Sequence, residues 1–262
     1  MKTIIATALL AGALAVVPGA SLAQASAGSP PAEGAGVQTL LSRVDAKWQD
    51  RDDPGVMDAM LAQLQQAQKM APDDYGVLWR LARLDFWTSD DLSLKEEERS
   101  ELGKRAWDYA DRAAKVNPDG VEGWYFGALG IGNYSLGIGI LKALGQGVES
   151  KFKERLGKAE MLDPKYQDGG IYNAWGRFYQ KLPWPKYDPK KSEQNLRKAL
   201  QLNPANVRAR TYLAELYQNE GHPKEARKLL EEALVREPGS YDAPEERRSL
   251  KRARELLAQL KR

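Results

Sequence analysis

The chain has 262 residues, with 39 basic against 36 acidic side chains, one histidine and no cysteine. Disulfides, thiol catalysis, thiolate metal sites and lipid attachment through an N-terminal cysteine are excluded. A net charge of +3 gives no general pull toward nucleic acid, and a lone imidazole, His222, makes a poor metal site.

Residues 1–23 carry one positive charge at Lys2, an apolar run from Ile4 to Val17, a breaker at Pro18-Gly19 and small residues at Ser21 and Ala23. This order predicts a cleavable secretory signal, cut after Ala23, and so a periplasmic or secreted protein. The run is shorter than the roughly 20 residues a membrane anchor needs. Residues 24–36 are mostly Ala, Ser, Gly and Pro and predict a disordered leader. The folded domain is then expected over 37–262.

Within that domain alanine falls five residues before a proline at five places: Ala67 and Pro72, Ala113 and Pro118, Ala159 and Pro164, Ala199 and Pro204, Ala233 and Pro238. Leu64, Ala110, Leu156, Leu196 and Leu230 stand on the same helical face one turn earlier. One helix-turn-helix unit is being reused. The first pair is expected over Val37 to Gln49 and Gly55 to Met70, the second over Tyr75 to Trp87 and Lys95 to Val116, and the third from Val121. Nothing from Gly123 to Leu141 is charged, yet the many glycines argue against a membrane helix and for two short segments, with an inserted buried helix around Leu136 to Leu144. Asp168-Gly169-Gly170 opens the first helix of the fourth unit. The loop from Lys181 to Pro189 holds three prolines, which present Trp184 and Tyr187 on a stiff segment. In the last unit Leu213, Ala214 and Tyr217 precede the turn at Gly221 and Pro223, and Ala226, Leu230 and Ala233 follow it. Residues 244–262 pattern as a basic amphipathic helix, expected to cap the end with its polar face outward.

The last two prolines are spaced as in a tetratricopeptide repeat, and the final unit resembles that repeat in full. The expected fold is all-α: a right-handed solenoid of about five such helix pairs, some with insertions, plus a C-terminal capping helix. Gly123-Trp124-Tyr125, the stretch leading to Ile140-Leu141-Lys142-Ala143-Leu144-Gly145, Asp163-Pro164, Asp168-Gly169-Gly170, Gly176-Arg177 and Leu182-Pro183-Trp184-Pro185 resemble a divergent branch, the T component of tripartite ATP-independent periplasmic transporters. That resemblance implies a helical periplasmic protein that pairs with a solute-binding protein, forms a homo-oligomer, and holds a hydrophobic ligand in a central cavity. Members are often lipoproteins, which this chain without cysteine is not. Animal regulators of microtubule dynamics are arranged similarly, but an export-type leader disfavours that branch.

Two binding functions follow. A concave surface would hold a protein partner or extended peptide through inward residues of the first helices: Tyr125, Asn133, Asn173, Arg177, Arg208, Tyr212, Glu215 and Asn219. The basic-and-asparagine clamp of some such domains is not reproduced, since Thr211 and Gln218 stand at groove positions. Alternatively, an apolar cavity around Trp124, Phe126, Tyr134, Leu136, Trp175, Tyr179 and Trp184 would carry a small hydrophobic molecule, although aromatic residues at helical spacing equally fill a core. No Ser-His-Asp set, metal-ligand cluster or phosphate loop is present, so no enzyme and no cofactor are expected.

Overall fold

The computed structural model describes residues 33–91 and 93–260. The segment expected to be an export signal and most of the expected leader lie outside the described residues, while residues 33–36, expected in the leader, already belong to the first helix. Among the described residues there are α-helices and short 3-10 turns and no strand: α1 (Glu33–Ala46), α2 (Val56–Met70), α3 (Tyr75–Ser89), α4 (Glu96–Val116), α5 (Val121–Ile138), α6 (Ile140–Gly145), α7 (Val148–Leu162), α8 (Gly170–Lys181), α9 (Pro189–Leu202), α10 (Val207–Asn219), α11 (Pro223–Leu234) and α12 (Ala243–Gln259).

The recurring alanine and proline have one local cause. Ala67, Ala113, Ala159, Ala199 and Ala233 have no exposed surface. The residue before each of the first four prolines donates its backbone N–H to the carbonyl of that alanine, at 2.9 Å for Ala71, Asn117, Asp163 and Asn203. These residues take extended or nearly extended backbone, as a following proline requires. The next helix then starts afresh, capped by Asp74 on the Val77 N–H and by Asn206 on the Ala209 N–H. The helices pair as α1 with α2, α3 with α4, α5 with α7, α8 with α9 and α10 with α11; α12 packs on the last pair.

The glycine-rich segment differs from expectation. α5 runs unbroken to Ile138, and the break falls at Gly139, whose φ of 89° suits glycine. The inserted helix α6 is largely exposed: Leu141 shows 76% of its surface and only Ala143 is buried. The glycines serve α5 instead. A Cβ on Gly123 would lie 2.7 Å from the Ala114 nitrogen, on Gly130 2.6 Å from the Trp107 nitrogen, and on Gly137 2.5 Å from the Glu96 carbonyl oxygen. One face of α5 thus lies backbone to backbone along α4, which no larger residue permits. This places the opposite face of α5 toward the inside of the solenoid. None of the described helices is long and apolar enough to cross a membrane.

The largest departure is at the C-terminus. α12 buries Leu250, Ala253 and Leu256 against α10 and α11, as a cap would. Lys251, Arg254, Glu255 and Gln259 do face solvent, but the first turns of the helix reach across to the start of the chain. Arg247 reaches Asp52 at 2.6 Å, Arg248 donates to the Trp87 carbonyl at 2.8 Å, and Asp242, which caps α12, accepts from Arg51 at 2.5 Å. The superhelix curves until its last helix meets the N-terminal pairs, and the solenoid closes on itself as a ring.

Candidate functional site

Inside the ring α3, α5, α8, α10 and α12 face one another around a cavity of about 340 Å³. That volume lies within the range of small-molecule sites, roughly 300–1,000 Å³. Its walls are of two kinds.

One wall is polar. Glu215 on α10 is buried and receives three cations: Arg177 at 2.9 Å and Lys181 at 2.9 Å, both on its Oε1, and Arg252 at 3.0 Å on its Oε2. Burial alone would push the Glu215 carboxyl up; Arg177, Lys181 and Arg252 outweigh it and bring it down to about 2. Burial and the neighbouring Arg177 push the Lys181 ammonium below its ordinary value. Arg177 also lies 4.4 Å from the centre of the Tyr212 ring and donates to Gln180. Beside this group Arg208 bridges Asp90 at 3.0 Å and Glu245 at 3.1 Å. Burial works against the Arg208 charge, but those two carboxylates hold it well above its ordinary value. The Glu245 carboxyl is raised, because its own burial outweighs Arg208. Arg248 completes the set 3.8 Å from Asp90, its guanidinium 3.4 Å from the centre of the Trp87 ring. Arg51 is sandwiched between Trp48 and Trp87, at 4.3 and 4.0 Å.

The other wall is apolar. Leu129 and Leu136 from α5, Leu144 from α6, Val148 and Phe152 from α7 and Phe178 from α8 line it. The Phe152 and Phe178 rings stack at 4.6 Å.

Of the residues expected at the groove, Tyr125, Asn133, Asn173, Arg177, Arg208 and Tyr212 all line this cavity, and Glu215 joins it through its three cations. Asn133 donates to Ser89 at 2.7 Å. Asn173 donates weakly to Asn206 at 3.3 Å, while its buried Oδ1 accepts no hydrogen bond. Asn219 does not take part; it is exposed at the end of α10.

The aromatic cavity expected from sequence is largely corrected. Only Leu136 of that set lines the space. Phe126 is buried against Trp79 and Phe86, Trp124 and Trp175 pack on the central core, and Trp175 stacks on Tyr179. Tyr134 leans on Trp107 and donates to Gln146. These side chains leave α5 and α8 on the faces that pack against neighbouring helices. Trp184 is 86% exposed, outside the cavity, while Tyr187 on the same loop is held by Glu220 at 2.6 Å. Residues missed from sequence are Asp90, Lys181, Glu245, Arg248 and Arg252. One signal was available: Glu245, Arg248, Ser249 and Arg252 repeat the spacing of Arg208, Thr211, Tyr212 and Glu215, which marks α12 as a further inner helix.

A family model described as regulator of microtubule dynamics protein 1-3 matches residues 40–182, more than half of the chain. The chain belongs to that family. The export-type order of residues 1–23 disfavours this branch, and the match over residues 40–182 corrects that expectation. A tetratricopeptide repeat model matches residues 186–245, so repeat signatures extend to the second half. Among solved structures, TTC0263, a thermophilic tetratricopeptide repeat protein of Thermus thermophilus, is 22% identical with a TM-score of 0.62, covering 87% of this chain and all of its own. PilF of Pseudomonas aeruginosa is 14% identical with a TM-score of 0.52, covering 87% of this chain and 93% of its own. At these identities the likeness shows the tetratricopeptide fold alone. No curated protein matches the chain.

Proposed function

We propose that the chain is an exported, non-enzymatic tetratricopeptide scaffold that receives an extended segment of a partner protein in the interior of its ring, as an accessory of a periplasmic transport system. The observation that carries the binding part is the convergence of five inner helices on one cavity, with arginine, tyrosine and asparagine side chains facing it. Repeat solenoids use that concave face for recognition. The order of residues 1–23 supports export, and the Gly123 to Pro189 resemblance supports the transport setting. The family description names microtubules, but the leader favours a partner outside the cytoplasm. Partner capture from a periplasmic extract with the Arg177→Ala, Tyr212→Ala double variant tests the assignment: recovery of every partner at wild-type level would overturn it.

A second reading, carriage of a small apolar molecule, is favoured by the continuous apolar wall from Leu129 to Phe178. Native mass spectrometry of the purified protein tests it: a retained hydrophobic ligand is expected, and its consistent absence after incubation with lipid extract would refute it.

A further inference from the structure

The polar and apolar walls meet on one helix. On α8 Arg177 is followed by Phe178, and Lys181 by the capping residue Leu182, and all four line the cavity. The cationic group is also under-compensated. Arg177, Lys181 and Arg252 share the single carboxylate of Glu215, whereas next to them Arg208 and Arg248 are balanced by Asp90 and Glu245. This trio therefore carries two charges more than the one carboxylate it binds; Asp168 and Glu149, the latter already holding Lys153 and Lys186, also line the cavity. One buried donor there is also unmatched: the Arg252 Nε donates to nothing. A buried polar group without a partner costs free energy that a ligand would recover. Glu215 shows the shape the cations accept, a planar group with two oxygens that takes Arg177 and Lys181 on one and Arg252 on the other.

We infer that this end of the cavity binds a small monocarboxylate carried on an apolar chain, with its head between Arg177, Lys181 and Arg252 and its chain along Phe178, Phe152 and Leu144. The inference rests on the second reading above, that the cavity takes a small molecule, and adds the charge and the polarity of its orientation. Glu215 then acts as an internal competitor for the cations as well as their structural counter-ion.

Isothermal titration calorimetry of the full chain with decanoate and decan-1-ol tests the assignment. Decanoate is expected to bind more tightly than the alcohol by about tenfold or more, the value of one charge-assisted hydrogen bond. Lys181→Met and Arg252→Gln are expected to weaken decanoate and leave decan-1-ol unchanged. Glu215→Gln, with folding checked by circular dichroism, is expected to tighten decanoate, which a purely structural role for Glu215 would not do. Equal binding of acid and alcohol would overturn the inference while leaving the carrier reading standing; no binding of either would overturn both. Weaker decanoate binding by a folded Glu215→Gln variant would also overturn it. Should that variant not fold, the Lys181 and Arg252 variants decide, and unaltered decanoate binding in both would refute the site.

Discussion

The contact between α4 and α5 makes a quantitative prediction, because two glycine-to-alanine substitutions should change stability unequally. At Gly130 an added methyl carbon would stand 2.6 Å from the Trp107 nitrogen and 2.9 Å from the Gly103 carbonyl oxygen. Both obstacles are backbone, so no side chain can swing away and α4 must retreat by most of an ångström. Overpacking of this kind costs about 1–3 kcal/mol. The higher helix propensity of alanine returns about 1 kcal/mol. Gly130→Ala should therefore gain nothing and lose up to about 2 kcal/mol, a fall in Tm of up to several degrees for a chain of this size. At Gly157, inside α7, nothing lies within 4 Å of the added carbon. Gly157→Ala should keep only the propensity gain and raise Tm by about 2–4 °C. Thermal unfolding followed by circular dichroism measures both. If Gly130→Ala raised Tm as Gly157→Ala is expected to, the two helices would not be packed backbone to backbone. The glycines of α5 would then need another explanation, and its inner face would not be fixed toward the cavity.

Closure of the ring should show unequal dependence on its two outer contacts. Asp242→Ala leaves the buried Arg51 unpaired and removes the cap of α12, so a loss of about 3–5 kcal/mol is expected in urea denaturation; Asp52→Ala breaks a partly exposed pair and should cost under about 1 kcal/mol. Glu215 should govern acid stability. Its folded value near 2 lies below the ordinary 4.5, so its contribution, about 3 kcal/mol, is complete above pH 4.5 and fades as pH falls toward 2. The stability gap between the wild type and Glu215→Gln should shrink over that interval, and a gap independent of pH would contradict the ion cluster. Trp184→Ser, at an exposed position, should change stability by less than about 0.5 kcal/mol, and a larger loss would mean that the loop packs elsewhere.

What could be read from sequence divides according to the range of the interactions. The alanine, leucine and proline offsets report contacts within one helix pair, and the helices pair accordingly, except that in the third unit α5 runs unbroken and the inserted α6 is exposed. The basic amphipathic pattern of α12 was also legible, and Leu250, Ala253 and Leu256 are buried as it requires. The destination of its first turns was not. Arg247 and Arg248 look like solvated surface in any local window, and they acquire partners only because a small rotation per repeat accumulates until α12 meets residues more than 150 positions earlier. The aromatic residues failed for a related reason. Trp124, Trp175 and Tyr179 have the size and spacing of a cavity lining, but whether such a side chain fills a core or faces a void depends on which neighbour its helix turns toward. Asn173 and Arg177, one turn apart on α8, both line the cavity, because that face of the helix is not the one that packs on α9 through Gly176 and Tyr172.

The ring is closed by charges rather than by a hydrophobic seam, and stability alone does not account for this. Mostly buried ion pairs such as Arg208 with Asp90 and Glu245 lose much of their attraction to desolvation, and apolar replacements of similar volume are often neutral or more stable by up to about 4 kcal/mol. Apolar groups at these positions would also draw together and fill the space between α3, α10 and α12. Directional ion pairs instead hold the helices at the separation that their bond lengths set, which keeps the cavity open and fixes the register in which the two ends meet. The triple variant Asp90→Leu, Arg208→Met, Glu245→Leu tests this account. It should unfold in urea no earlier than the wild type, while small-angle scattering shows an altered closure and retention of ligand or partner falls. A triple variant that lost stability by more than about 3 kcal/mol, or that was equally stable with binding intact, would show that the charges hold the ring together without shaping the space inside it.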